Sequence, residues 1–210
     1  MSVIKHKEQR VGVFLDAQNL YHSAKNLHHG RVNFENVLTD ALSGRQLVRA
    51  IAYVITTETG EESGFFDALN KMGIETKTKD LQIFSSGSKK ADWDVGLAID
   101  AVKLASKLDV VVLASGDGDF IPLVEYLKMQ GCQVEVITFG KSASGKLKEV
   151  ADDFIDLDSD PRRYVLGAYG GGRRDQPERR KPQGQNPQEQ NRGGDDGRVG
   201  GMRKVIRKLR

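Results

Sequence analysis

The sequence predicts an α/β three-layer sandwich with a mostly parallel central sheet, followed by a disordered basic tail. Three observations lead there. Short apolar runs rich in β-branched residues alternate with stretches of helical period. The run Val110–Ala114 is apolar throughout, as suits a strand covered on both faces. The alternation then stops after Asp160-Pro161.

The first strand is predicted at Val11–Leu15 and the second within Gln46–Ile55. A weaker third covers Ile74–Lys79. The fourth is Val110–Ala114, the fifth Gln133–Thr138, and a short last one Phe154–Leu157. Four helical faces lie between them. Leu20, Ala24 and Leu27 make the first, and Phe65, Phe66, Leu69 and Met72 the second, stopped by Gly73. Val95, Ala98, Ile99, Val102 and Leu104 make the third. Phe120, Leu123, Val124 and Leu127 make the fourth, stopped by Gly131. Right-handed crossovers then bring functional groups to the carboxyl ends of the strands.

Charge divides the chain as the periodicity does. The net +3 of the 210 residues averages two unlike pieces. The first 160 residues hold 18 Lys+Arg against 24 Asp+Glu, a net of −6. The last 50 hold 14 against 5, a net of +9, with 10 of the 23 Gly and 4 of the 5 Pro. Residues 161–210 are therefore read as a flexible Gly/Arg-rich tail that buries too little apolar surface to offset chain entropy. Its last nine residues, Met202–Arg210, mix apolar and basic positions as a partner-induced helix does. Cys132 is the sole cysteine, which excludes an internal disulfide and any C-x-x-C zinc site. The amino terminus has no apolar leader and no run spans a membrane, so the expected location is the cytoplasm.

Several aspartates fall where such a sheet concentrates its chemistry. Asp16 follows the first strand directly. Asp117 and Asp119 follow the fourth, and Asp92 and Asp94 open a helix. If the fourth strand lies beside the first, these acids converge. Two carboxylates about 4 Å apart repel by roughly 4 kcal/mol at an effective dielectric of 20. A cluster of them either raises its pKa values or takes up cations. Oxygen donors without His or Cys favour Mg²⁺ or Mn²⁺, and such a site suits phosphodiester hydrolysis. For Asp92, Asp94 and Asp119 the plainer alternative is helix N-capping. Asp16 is harder to dismiss, because a lone charge at the end of an apolar strand is costly. Asp100 lies within the helix, on a solvated face or behind a metal ligand.

Other phosphate chemistries fail on the letters. Gly116-Asp-Gly118 lacks the third glycine of a dinucleotide loop, and no G-x-x-x-x-G-K-[ST] occurs. Gln18 stands where a haloacid-dehalogenase-type phosphatase carries its second aspartate. No G-x-S-x-G elbow is present. His28-His29 has no metal-binding partner at helical spacing and is expected at the surface.

Three blocks carry a family resemblance. Phe14-Leu-Asp-Ala-Gln-Asn-Leu20, Lys90-Ala-Asp-Trp-Asp-Val95 with its continuation to Ala101, and Ser115-Gly-Asp-Gly-Asp-Phe-Ile-Pro-Leu-Val124 resemble the signatures of the NYN domain. This is a group of PIN-like ribonucleases, and the likeness is to its LabA-like branch. It covers about residues 9–158. It implies a PIN-like sandwich over residues 1–160 and a Mg²⁺-dependent endoribonuclease site. By position it implies metal-binding roles for Asp16, Asp94, Asp117 and Asp119, a catalytic role for Asn19, and a supporting one for Ser115. Asp92 competes with Asp94 for one place.

The tail agrees with an RNA partner. A −6 domain repels phosphates, whereas a +9 arm holds them by counterion release. Arg173, Arg174, Arg179, Arg180 and Lys181 are the candidate contacts, with the sparse aromatics Tyr164 and Tyr169 beside them. The tail also offers a surface for a protein partner or a second copy, or acts as a solubilising segment. The leading expectation is a metal-dependent endoribonuclease. The rival is a non-catalytic RNA-binding or regulatory adaptor on the same fold.

Overall fold

β1 (Arg10–Asp16) places Val11, Val13 and Leu15 on one side and Phe14 on the other, and all four are fully buried. Successive side chains of a strand point to opposite faces, so β1 needs cover on both. The structure, a computed structural model, describes residues 3–56, 63–80, 82, 83, 89, 90 and 92–167. After β1 come α1 (Ala17–His28), β2 (Arg31–Val32), α2 (Phe34–Leu42), β3 (Gln46–Thr56) and α3 (Ser63–Lys71). β4 (Ile74–Asp80), β5 (Gln82–Ile83), β6 (Lys89–Lys90), α4 (Asp94–Ala105) and β7 (Val110–Ala114) follow. The chain continues through α5 (Ile121–Met129), β8 (Gln133–Thr138), α6 (Gly145–Val150), β9 (Asp153–Asp156), α7 (Pro161–Tyr164) and β10 (Val165–Leu166).

Six strands pair in the order β4-β3-β1-β7-β8-β9, and every pairing among them is parallel. Leu20 and Ala24 of α1 and Val37 and Ala41 of α2 pack on one face. Leu97 and Ala101 of α4, Leu123 and Leu127 of α5, and Leu147 of α6 pack on the other. From β1 the chain runs outward to β3 and β4, then returns to β7 on the opposite side of β1. The connections leaving β1 and β7 therefore lie on opposite faces, and a crevice opens between them at the strands' carboxyl ends. The strong predicted strands all form, and the predicted alternation is this sandwich.

Local signals explain the helix ends. Asn33 Oδ1 accepts from Asn36 N at 3.3 Å and caps α2, and Ser144 caps α6 through Leu147 N. Each such cap contributes about 1 kcal/mol. Gly73 and Gly131 stand just past α3 and α5 with φ of +77° and +88°, a region that other residues enter only with strain.

Four features depart from the sequence expectation. First, α2 occupies an interval left unassigned. Second, α4 buries Leu97, Ala101 and Ala105 rather than the expected stripe; Val95 is 69% exposed, and Ile99 and Val102 also face outward. The helix is apolar nearly all round, and the small Ala101 and Ala105 allow the closest approach to the sheet. Third, the ordered chain continues past residue 160. Asp160 caps α7, β10 pairs antiparallel with β2, and Asn33 N donates to Tyr164 O at 2.8 Å. Tyr164 is buried and bonds Asp40 through its hydroxyl at 2.6 Å, so it does not serve as a stacking platform. Arg163 forms a two-pronged pair with the same carboxylate. Fourth, His28 is not a surface residue; its Nε2 lies 2.6 Å from Asp158 Oδ1 and its ring packs against Phe139. Tyr169 and the five basic residues Arg173 to Lys181 named above lie outside the described residues.

The amino-terminal end of the sheet is tied by one buried ion pair. Arg45, just before β3, donates to both oxygens of Glu135 on β8 at 2.6 and 2.8 Å. It also donates to the carbonyls of Ala41 and Leu42, closing the last turn of α2. Neither side chain of the pair reaches solvent. Removing Glu135 strands the guanidinium in the interior, and removing Arg45 leaves Glu135 the longer ion pair with Lys5 Nζ at 3.3 Å. Arg45→Ala is expected to cost about 3–5 kcal/mol in urea unfolding. The double change Arg45→Met with Glu135→Leu should recover most of it, and a single-variant loss below about 1 kcal/mol would contradict this role.

Candidate metal centre

The pairing of β1 with β7 sets Leu15 opposite Ala114, so the next residues, Asp16 and Ser115, emerge side by side at the crevice. Asp16 is also the N-cap of α1. Its Oδ1 accepts from Asn19 N at 3.0 Å, and its Oδ2 accepts from Ser115 Oγ at 3.1 Å. Asp117 N donates to Ser115 Oγ at 3.3 Å, and Asn19 Oδ1 accepts from Gly116 N at 3.0 Å. The loop after β7 is thus stitched to the start of α1 by buried and half-buried polar atoms. Asp117 Oδ1 then accepts from Asp119 N at 3.0 Å and turns the chain into the 3₁₀ segment Gly118–Phe120.

Asp94 reaches the crevice from the opposite layer. It is the first residue of α4, and the residue before it, Trp93, supplies no side-chain cap. Trp93 works as a wedge. Its indole N–H donates to Val54 O at 3.0 Å, its ring meets Tyr53 at 5.5 Å between centroids, and Lys79 Nζ lies 5.8 Å from the ring. Gly96 admits the ring: a Cβ there would stand 2.6 Å from the indole.

The result is a group of converging acids. One oxygen each of Asp94, Asp117 and Asp119 lies within 4.8 Å of the others. Among the described residues, no Lys, Arg or His forms an ion pair with these three or with Asp16. Burial pushes the Asp16 carboxyl up, opposed in part by its hydrogen bonds from Asn19 and Ser115, with the charge of Asp117 adding to the rise. Asp94 is raised first by burial and then by the charges of Asp16, Asp117, Asp92 and Asp119. The oxygen-only donor set and its convergence fit a hard divalent cation such as Mg²⁺ or Mn²⁺.

The remaining candidates separate. Asp92 is exposed and lines the same cleft outside the three-acid group; its carbonyl accepts from Lys79 Nζ at 3.1 Å. Asp100 turns away from the acids to Lys77 Nζ at 2.6 Å and the Tyr53 hydroxyl at 2.8 Å. Burial draws its carboxyl upward, but those two hydrogen bonds and the Lys77 charge together hold it below its ordinary value. Asp119 does not cap α5, whose N-cap is Phe120. Asn19, which lines the cleft, spends its carbonyl on the loop. Sequence reasoning assigned no place at the site to Trp93, nor to the polar side chains of α1 beyond Asn19. The spacing of Gln18, His22 and Asn26 at i, i+4 and i+8 was the available signal. They line a cleft of about 380 Å³ together with Asp16, Asp94 and Trp93.

A parallel sheet whose central carboxyl ends gather aspartates is the arrangement of a PIN-like α/β domain. The chain belongs to the NYN domain family, which it matches over residues 10–158. It is 27% identical to the low amplitude and bright protein LabA of Synechococcus elongatus over 168 residues, 76% of this chain and 89% of that protein. The crystal structure of a protein of unknown function from Vibrio parahaemolyticus is similar with a TM-score of 0.70 and 28% identity. That likeness covers 78% of this chain and all of the other. NYN domains are generally nucleases, so fold and family together give a nuclease-type domain. No helix among the described residues is long and apolar enough to cross a membrane.

Two expected outcomes follow from the geometry. A raised carboxyl contributes stability that is complete below its unfolded pKa and lost as pH rises through the folded value. Asp16→Asn keeps the cap and removes the charge, so the metal-free variant should melt above the parent at neutral pH. The gap should close as pH falls to about 4. Melts across that range check it, and a variant less stable at neutral pH would refute the cost of this buried charge. For Gly96→Ala, the helix gains up to about 1 kcal/mol while the indole must move. Emission from Trp93, the only tryptophan of the chain, should shift to the red. Unchanged emission would mean the wedge does not need the glycine.

Proposed function

We propose that the chain is a Mg²⁺- or Mn²⁺-dependent endoribonuclease that hydrolyses RNA phosphodiester bonds at the Asp16, Asp94, Asp117 and Asp119 centre. The observation that carries this reading is the convergence of Asp94, Asp117 and Asp119, none of which forms an ion pair with a Lys, Arg or His among the described residues. Family membership supports it independently. Asp94, Asp117 and Asp119 would hold the metal, with Asp16 as the fourth carboxylate at the same cleft. A divalent cation held by these residues would supply a lowered pKa for a water and a charge to offset that of the phosphodiester.

The chain's own residues do the positioning. Ser115 Oγ donates a hydrogen bond to Asp16 Oδ2 and accepts one from Asp117 N, which fixes the Asp117 backbone. Asn19 holds the same loop through Gly116 N and would offer its amide N–H groups to a phosphate oxygen. The wedge of Trp93 sets the height of Asp94 over the crevice. The basic residues Arg173, Arg174, Arg179, Arg180 and Lys181 would retain RNA by counterion release.

The direct test is purified protein with labelled RNA and Mn²⁺. The parent should cut internally, and Asp117→Asn or Asp16→Asn should slow cleavage at least about a hundredfold. Equal cutting by parent and variants would expose a contaminant. RNA binding without cutting would make the chain an RNA-binding adaptor. Removing residues 173–210 should flatten the dependence of RNA affinity on salt and raise KM more than it lowers kcat. An unchanged salt slope would assign the tail to another partner.

A further inference from the structure

The cleft beside the acids has two unlike walls. One is the exposed side of α1, which packs by its other side onto the sheet. Gln18, His22 and Asn26 stand on it in a single row about 12 Å long. Gln18 lies two residues from Asp16, so the row begins at the acids and leads away from them. Among the described residues, none of these three side chains has a hydrogen-bond partner, although amides and an imidazole offer both donors and acceptors. Their neighbours in the helix are already engaged: Ser23 Oγ lies 2.8 Å from Ser142 Oγ, and Asn19 is bonded to Gly116. The other wall carries the Trp93 indole, fixed by Val54 and Gly96. The cleft between them, about 380 Å³, is within the range of small-molecule sites.

A ligand matching these walls has a flat aromatic body and a hydrogen-bonding edge, and it is attached to a group that belongs beside the carboxylate centre. An unstacked nucleobase next to a phosphodiester has these properties. We infer that the α1–Trp93 cleft is a base-recognition subsite, in which Gln18, His22 and Asn26 read the edge of one unpaired base flanking the scissile phosphate. The inference rests on the nuclease reading for the position of that phosphate. Its chemistry excludes duplex RNA, because paired bases have their Watson–Crick edges occupied and cannot be splayed into a cleft of this size. Amide side chains discriminate bases through paired donor and acceptor contacts, so the chain should be selective in sequence as well as in strandedness.

The experiment cleaves a random-sequence single-stranded RNA pool in Mn²⁺, sequences the ends produced, and repeats this with the pool annealed to its complement. The parent should favour one base about tenfold at a position flanking the cut and leave the annealed pool largely intact. In Gln18→Ala/Asn26→Ala that preference should fall to within about threefold, because cutting at the favoured base slows toward the rate at the others. His22→Ala, a single change at an exposed position, is the second variant, and melting temperatures show that each is folded. An unselective parent, an annealed pool cut equally well, or a preference unaltered in both variants overturns the subsite. If the parent cuts nothing, the nuclease reading fails separately. The same pool is then selected by binding in Ca²⁺: enrichment of one base that the variants lose supports the subsite, and its absence overturns it.

Discussion

Parallel pairing of β1 with β7 is the constraint on which the rest depends. The register that sets Leu15 against Ala114 brings two chain segments, 99 residues apart, to the same edge with their next side chains adjacent. It also marks the place where connections leave toward opposite layers, so the edge stays open. A slip of one residue in that pairing would turn Asp16 and Ser115 to opposite faces and bury a carboxylate without a donor. The apolar continuity of Val110–Ala114 and the buried side chains of β1 make such a slip costly. Hydrophobic register, not any polar contact, therefore decides where the charges meet.

The polar contacts then hold that meeting in a narrow geometry. Asp16 and Asp117 each accept a backbone N–H a few residues downstream, so both are anchored by their own helical turns. Ser115 connects them through one hydroxyl. Asp94 is anchored differently, by the packing of its neighbour Trp93 against the end of β3. Repulsion among the acids opposes this arrangement, adding to the burial that raises the carboxyls of Asp16 and Asp94. The buried Arg45–Glu135 pair at the far end of the sheet shows the opposite solution, a charge matched on both prongs.

Much of this was legible in the sequence because strand ends and turn chemistry are local. Val11–Leu15 and Val110–Ala114 declare themselves by composition, and the acids that follow them inherit their position. Asp94 was separable from Asp92 only by which one meets Asp117 and Asp119, a long-range fact. The face of α4 was not legible, because Val95, Ile99 and Val102 keep the same period as Leu97, Ala101 and Ala105. Helix α2 was readable in Asn33, Phe34, Val37, Leu38 and Ala41 but is short and lies between stronger signals. The ordered stretch Pro161–Leu166 has no periodicity; Asp40, Asn33 and β2 hold it in place. The row on α1 resembles any solvated helix face until Trp93 is seen across from it.

The double duty of Asp16 has an evolutionary consequence. Its side chain caps α1 and its charge faces the cleft, and asparagine keeps the cap while removing the charge. A single codon change can therefore silence such a centre without a folding penalty and with relief of electrostatic strain. Within a lineage, selection on stability alone pulls the domain toward silence. Where nothing selects for the charge, descendants should drift into inert scaffolds that keep the sheet, the Trp93 wedge and the crevice.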